Sequence, residues 1–440
     1  MTTGQPARRP KTRGVVLDLI RAARTISRIE LATNSGLTPP TITQVVRELI
    51  AHGLVVEVGR GASTGGKRRT LLQLNPTARY AVGVLFERNI CVIVVVDLAG
   101  RLAARTSFLG TALLPPDQAL PLVASRVDAL LETAGVDRDL VLGVGLASYG
   151  PQDRQSGVLL TAQPTDEWFG YPVAPRLSDI LGLPVLLDND AAAAAIGEFW
   201  LGTVEPHAAY GCIYMASGIG GSVVTAGQVY RGSSSNSVEI GHITIDINGD
   251  ECHCGNFGCL ENYAGPPAVI KQAMRTAGLG RRLGLDPNDV DVMTHFGRIA
   301  TAASAGDPTA TDLIVRSARH LGTGAVTMMS LFDLDLIVLA GPSFAAAGAI
   351  YQSVIREETH RRAFARRAHP LRVIASTSGA DAAAIGGAVL VLRSELAFLE
   401  LNGAEPPQPP EDAKDDHLSR RARAALTTKR VSRPTATGGG

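Results

Sequence analysis

Cys252-His253-Cys254-Gly255-Asn256-Phe257-Gly258-Cys259-Leu260-Glu261 restricts the reading of this chain more than any other stretch. Three of the five cysteines fall within these eight positions, 252 to 259. The N-terminus, Met1 to Gly14, is polar and basic with no apolar segment after it, so no secretory leader is read there. In a reducing, cytoplasmic setting a thiol cluster points to a metal rather than to disulfides. Cys252, Cys254 and Cys259, with His242 upstream, supply three thiolates and one imidazole, a closed tetrahedral set for Zn2+. Four protein donors leave no open position, so the zinc is expected to be structural. Gly255 and Gly258 let the backbone turn around the ion. His253, between two ligand cysteines, is expected to point away. Cys91 and Cys212 lie in apolar, β-branched runs and read as core thiols.

Outward from this stretch, residues 76–401 alternate short β-branched runs with helical segments, the pattern of an α/β fold. Strands are expected at Ala81–Leu85, Ile90–Asp97, Val141–Ala147, Val185–Leu187, Tyr210–Met215, Ser222–Thr225 and Leu336–Ala340. Several end in glycine-rich turns, where α/β sheets place ligands. No apolar run reaches the roughly 18 to 20 residues of a membrane span. The chain is 45% hydrophobic and 19% charged, which places it among soluble globular proteins and not among membrane or disordered ones.

Upstream of Asn75-Pro76 the chemistry changes. Residues 1–80 carry 13 Lys/Arg against 4 Asp/Glu, and the remaining 360 carry 29 against 37, so a net charge of +1 hides a basic head on an acidic body. A polyanion partner is implied for the head alone. Val15, Val16, Leu19, Ile20 and Ala23 repeat at helical spacing. Ser27 and Glu30 have capping-box spacing, which starts a second helix at Arg28 that buries Ile29 and Leu31 or Ala32 and stops at Asn34-Ser35-Gly36. Thr38 caps a third helix with Pro39 at its first position, buried along Ile42, Val45, Val46, Leu49 and Ile50 and ended by His52-Gly53. Helix, glycine turn, helix is the helix-turn-helix pattern. Pro40, Thr41, Thr43, Gln44 and Arg47 are then free to face a DNA groove. Strands at Leu54–Val58 and Thr70–Leu74 flank the basic loop from Gly59 to Arg69, forming a wing whose Arg60, Lys67, Arg68 and Arg69 would meet phosphates. The domains are thus a disordered basic arm (1–12), a winged helix-turn-helix (13–75), the α/β body (76–401) and a Pro/Glu/Asp/Arg-rich tail (402–440) expected to be disordered.

The chain resembles the ROK (repressor, open reading frame, kinase) family over nearly all of residues 13–395. The resemblance rests on Gly61-Ala-Ser-Thr-Gly-Gly66 followed by Leu74-Asn-Pro76, then Gly143-Val-Gly-Leu146, Asp188-Asn-Asp-Ala191, Ser217-Gly-Ile-Gly-Gly221, Glu239-Ile-Gly-His242 and the cysteine stretch. It implies a two-lobed, actin-like sugar-kinase body of the ribonuclease H-like type, headed by the winged helix-turn-helix of the family's regulators. It further implies sugar contacts at Asn189, Asp190, Glu239, His242 and Glu261, with zinc bracing the loop that shapes the pocket. In the kinases the counterpart of Asp190 is the general base. One departure is Ala192, where the family has a second Asn.

The nucleotide side departs further. Kinases of this type open with an Asp-x-Gly-Gly-Thr loop after the first strand. Here Leu85 stands for the Asp, and Phe86-Glu87-Arg88 puts bulk and negative charge where an open glycine turn is needed. Ser217–Gly221 is kept, but glycine there also serves a tight strand turn, and Ala340-Gly341-Pro342 departs from the usual glycine run. The sequence therefore reads as a sugar-sensing transcription regulator, a repressor of carbohydrate-related genes without catalytic residues. Double-stranded operator DNA and a sugar or sugar phosphate are its partners, and the expected assembly is a homodimer or homotetramer. An active ATP-dependent sugar kinase with a DNA-binding head, or a constitutive DNA-binding protein, are the alternatives. Trp168 and Phe169 belong either to a loop closing over the sugar or to the core, and His295 and His320 read as ordinary helix residues.

Overall fold

The computed structural model describes residues 12–398 apart from 61–68, 88–89, 110–113, 162–164, 206–208, 287–290 and 370. The basic arm, most of the wing loop with Lys67 and Arg68, and the tail from 402 lie outside the described residues.

The head holds α1 (Thr12–Ala23), β1 (Ile26–Ser27), α2 (Arg28–Ser35), α3 (Pro39–Ala51), β2 (Val55–Arg60) and β3 (Thr70–Leu74). Local chemistry sets each boundary. The Ser27 side chain accepts from the Glu30 amide while Glu30 accepts from the Ser27 amide at 2.8 Å, the reciprocal capping box. Gly36 closes α2 at φ 68°, a left-handed position that suits glycine. Thr38 caps α3 ahead of Pro39. Buried side chains form one small core: Val16, Leu17 and Ile20 from α1, Leu31 from α2, and Ile42, Val45, Val46 and Leu49 from α3. Ile29 differs from expectation, being 57% exposed. Two turns of α2 bury a single stripe, and Leu31 occupies it. The wing sheet has the order β1-β3-β2, so a short strand before α2 pins the hairpin to the helices.

The body has two five-stranded sheets of matching design. The first comprises β4 (Tyr80–Phe86), β5 (Ile90–Asp97), β6 (Leu102–Leu109), β7 (Val141–Ser148) and, after the short strands β8 (Gln152–Asp153) and β9 (Val158–Leu159), β10 (Val185–Asn189). Helices α4 (Pro116–Ala134) and α5 (Val173–Leu181) pack against it, and α6 (Asp190–Trp200) leaves its last strand. Its order is β10-β7-β4-β5-β6, with β4, β7 and β10 parallel and β5 antiparallel to both its neighbours, β4 and β6. The second comprises β11 (Tyr210–Met215), β12 (Ile219–Thr225), β13 (Gln228–Val229), β14 (Leu336–Ala340) and β15 (Arg372–Ala375), ordered β13-β12-β11-β14-β15 with the same mixture of directions. Between β13 and β14 lie α7 (Glu261–Ala264), α8 (Pro266–Arg275), α9 (Leu279–Arg282), α10 (Val292–Ser304) and α11 (Pro308–Phe332); α12 (Phe344–Arg362) and α13 (Ala382–Phe398) complete the chain of elements. Each sheet has its own apolar core, which makes two lobes.

The lobes meet where α6 crosses α13, and glycine permits the approach. A Cβ on Gly386 would fall 1.8 Å from the Ala193 carbonyl oxygen, and one on Gly145 1.8 Å from that of Gly387. Helix α6 leaves the first sheet yet packs mainly on β11 and β12 of the second. Among the described residues no helix is long and apolar enough to cross a membrane.

Among the described residues, two contacts join head and body. Asn75 donates its side-chain amide to the Gly53 carbonyl and its backbone amide to Leu54, while the Pro76 carbonyl accepts from Leu98 in the body. The second is Arg21 of α1, whose guanidinium lies 4.5 Å from the Trp200 ring and donates to the Trp200 carbonyl at the end of α6.

Candidate functional site

The predicted sugar ligands gather at the start of α6. Asn189 ends β10 and caps the helix, its Oδ1 accepting from Ala191 and Ala192 amides at 3.0 and 3.1 Å. That leaves its amide N–H groups for a ligand. Asp190, 7% exposed, follows at the first helical position and accepts from the Ala191 amide at 2.7 Å. Burial raises its carboxyl to about 7, with Glu239 adding to the rise. Ala192 is buried in the helix and offers no polar group. Glu239 stands before the 3-10 turn Ile240–His242; desolvation raises it, His242 opposes and Glu261 adds. Glu261 opens α7 and accepts from the Ile219 amide at 2.7 Å. The glycines of Ser217–Gly221 admit these close approaches: a Cβ on Gly218 would sit 2.7 Å from Glu261 Oε2, and one on Gly220 3.0 Å from Ala191 Cβ.

Contacts between lobes flank the pocket, and sequence reading missed them. Arg231, past β13, binds buried Asp188 of β10 through two hydrogen bonds of 2.5 and 2.7 Å, and Arg154 adds a third at 3.1 Å. Asn236 both accepts from and donates to the Gln152 backbone, at 2.9 and 3.0 Å. Dipeptide-level motifs gave no signal for these, because the partners are 34 to 84 residues apart.

On the nucleotide side, Leu85 and Phe86 are buried in β4, and Phe86 packs edge-on to Trp168 at 4.9 Å. Trp168 is fully buried, so it belongs to the first lobe's core and not to a closing loop; Phe169 is 40% exposed. Glu87, 6% exposed, points into the interior beside Asp190, and burial first, then Asp190, pushes its carboxyl up to about 8. Arg88 lies outside the described residues. His295 is buried in α10, and His320 lies on α11 beside Tyr263.

The metal donors converge. His242, Cys252, Cys254 and Cys259 bring one ligand atom each within 4.8 Å of one another. Cys252 Sγ lies 3.7 Å from His242 Nδ1, and Cys254 Sγ 3.7 Å from Cys259 Sγ. Donors about 2.3 Å from a tetrahedral ion would be roughly 3.7 Å apart, so the set fits a metal of zinc's size. Burial and the neighbouring thiols raise Cys252 and Cys259, a cost that a divalent ion would reverse. His253 is not turned away: its Nδ1 lies 3.6 Å from Cys252 Sγ and 3.9 Å from Glu261, and its ring meets His242 edge-on. A tight turn at Cys252–Gly255 folds it back toward the pocket.

On the head, Pro40, Thr43, Gln44 and Arg47 are exposed and line, with Pro39 and Glu48, an open concavity along α3; Thr41 is half-buried. Arg69 is exposed, whereas the Arg60 side chain lies outside the described residues. Sequence reading missed Glu48, which Arg13 and Gln44 hold below its ordinary carboxylate range.

Glu87 gives a pH prediction. Its carboxyl stays protonated in the fold up to about 8 but ionises near 4.5 when unfolded. The stabilisation is full below 4.5 and is lost as pH climbs from 4.5 to 8. Glu87→Gln is expected to remove much of that decline, by an amount on the order of a few kcal/mol across the window; parallel stability–pH curves for both proteins would contradict it.

Comparison with known proteins agrees with this geometry. The ROK family model matches residues 88–394, and a winged helix-turn-helix DNA-binding model matches residues 9–56. The xylose repressor of Caldicellulosiruptor bescii is 28% identical over 88% of this chain and 96% of its own. A crystal structure of a ROK family transcriptional regulator, a homolog of the E. coli MLC protein, is 26% identical with a TM-score of 0.69, covering 88% of this chain and 97% of that one. The ROK family glucokinase of Streptomyces griseus, solved with glucose and AMPPNP, is 28% identical with a TM-score of 0.62, covering 71% and 98%. The chain belongs to the ROK family and is a transcriptional regulator of that family with an N-terminal winged helix-turn-helix.

Proposed function

We propose that this chain is a DNA-binding repressor of carbohydrate-related genes that a sugar releases from its operator, acting in the cytoplasm as a homodimer or homotetramer without catalysis. One observation carries the reading: α6 begins at Asn189 and Asp190 in the pocket and ends at Trp200 against Arg21 of the DNA-binding head. Eleven residues of helix make a rigid rod about 16 Å long. Glu198 on the same helix accepts from Ser376 Oγ at 2.6 Å, so the rod is also tied to the second lobe. A sugar between the lobes favours one closure over another, and the rod passes that difference to α1. Paired heads must match half-sites about one helical turn apart, so a small shift costs much operator affinity. In the head, Pro40, Thr41, Thr43, Gln44 and Arg47 face the major groove, and Arg60, Lys67, Arg68 and Arg69 track phosphates.

Arg21→Met keeps the aliphatic stem but removes the guanidinium from Trp200. It should leave operator affinity nearly unchanged without sugar and reduce the sugar-induced loss of affinity at least about fivefold, an allosteric coupling of ordinary size. Full sugar response in this variant, measured by operator titration, would refute the route through α6.

Asp190 also supports a second reading, a sugar kinase with a DNA-binding head, since a carboxyl near 7 suits a general base. Phe86 and Glu87 oppose it by filling the phosphate side. An ATP-dependent phosphorylation assay over a sugar panel is expected to show no turnover; robust turnover abolished by Asp190→Asn would overturn the non-catalytic reading.

The metal set is proposed to hold a structural Zn2+ through His242, Cys252, Cys254 and Cys259. Bound there, the ion would supply cross-linking energy and fix the loop that carries His242, Glu239 and Glu261 around the sugar. Cys254→Ser should yield protein with well under one zinc per chain and a lowered melting temperature. Unchanged metal content would refute the ligand set.

A further inference from the structure

Three polar side chains of the head form a line of hydrogen bonds that ends in the concavity along α3. Gln44 and Glu48 are four residues apart on that helix and so share one of its faces. Gln44 Nε2 donates to Glu48 Oε1 at 3.3 Å, and the Arg13 guanidinium of α1 donates to Glu48 Oε2. Both carboxylate oxygens thus have a donor, and these two contacts hold Glu48 below its ordinary range. Gln44 is exposed on the concavity, among Pro39, Pro40, Thr43 and Arg47.

An ionised carboxylate accepts and never donates. It can face only the NH2 end of a glutamine amide, so Glu48 decides which way round Gln44 stands. One Nε2 hydrogen goes to Glu48, and the outward edge keeps the other N–H beside the carbonyl oxygen. In the major groove adenine sets the N7 acceptor beside the N6 donor, which this edge matches. Guanine sets two acceptors there, N7 and O6, and its O6 would meet the Gln44 carbonyl oxygen. A carboxylate on a groove-facing helix could instead take the N4 hydrogen of cytosine, but both Glu48 oxygens are already engaged. Arg13 also supplies the positive charge that lets a carboxylate stand among phosphates.

We propose that Glu48, anchored by Arg13, is a positioning residue that makes Gln44 a reader of adenine in each operator half-site. This rests on the reading above that α3 enters the major groove.

The test is selection of duplexes from a randomised pool by the full-length protein, followed by titration of the selected site carrying single base-pair changes. The wild type should take adenine over guanine at least about tenfold at one pair per half-site, and Gln44→Ala should erase that preference. Glu48→Ala should cut the same preference at least about fivefold and leave the other pairs as they were. Glu48→Gln keeps the shape of the side chain and loses its charge. Its carbonyl oxygen answers Arg13, its NH2 group then faces Gln44, and the Gln44 amide turns over to present two N–H groups outward. Selection at that pair should shift from adenine to guanine. Adenine preference unchanged in both Glu48 variants, or altered only at a pair that Gln44→Ala leaves alone, would overturn the inference with the groove reading intact. A Gln44→Ala protein that selects the wild-type site unchanged would overturn the groove assignment of Gln44 and the inference with it.

Discussion

The packing of α6 is the constraint on which the rest of this structure depends. One helix leaves the first sheet, crosses α13 through Gly386, lies against the second sheet, and ends beneath α1 of the head. Protein interiors are close-packed and not continuously deformable, so such a helix cannot shift at one end alone. The closeness is extreme at the crossing, where a single methyl group on Gly386 would overlap the Ala193 carbonyl. The opposite end is equally confined. Phe199 lies between the Arg21 and Arg393 guanidinium groups at 5.5 and 5.8 Å, and a Cβ on Gly227 would fall 2.7 Å from its ring. Burial lowers both arginines from their ordinary range, and Asp18 opposes that shift. The chain therefore commits charge and aromatic surface to the junction where a signal would leave the body.

Much of the architecture could be read from residues whose effects are local. The Ser27–Glu30 capping box, the Thr38-Pro39 start of α3 and the cysteine stretch act within a few positions of themselves, and each sits as its spacing implies. β-Branched runs located the principal strands because a buried strand needs little beyond apolar continuity. Pairings of large sequence separation were invisible. Arg21 on Trp200, Arg231 on Asp188 and Asn236 on Gln152 join residues that nothing in the linear pattern connects. The same limit explains the departures. Ile29 had apolar character but no neighbouring element to cover it, Trp168 found Phe86 and Tyr171 as core partners, and His253 was turned by a loop whose path depends on Cys252 to Gly255.

The fate of Phe86-Glu87 bears on the proposal that this kinase-like body keeps a sugar pocket without a phosphate site. Phe86 extends the strand and joins the first lobe's core, which fixes the direction of the next residue. Glu87 is thereby buried beside Asp190. Two buried carboxyl groups side by side are costly unless they share protons or meet hydroxyl donors. Under the proposed non-catalytic reading, a pocket of this character would suit a polyol better than a nucleotide. The glycines at 218, 220 and 221 are accounted for by close approach to Glu261, Ala191 and Ile240.

The most direct test of the coupling account is amide hydrogen exchange on the full-length protein with and without its effector sugar. The account predicts altered exchange at the pocket and, through α6, at Val16 to Ala23 of α1, with Arg21→Met abolishing the change in α1 alone. Changes confined to the residues around Asn189, Asp190, Glu239 and Glu261, with α1 exchanging identically in both states, would contradict it.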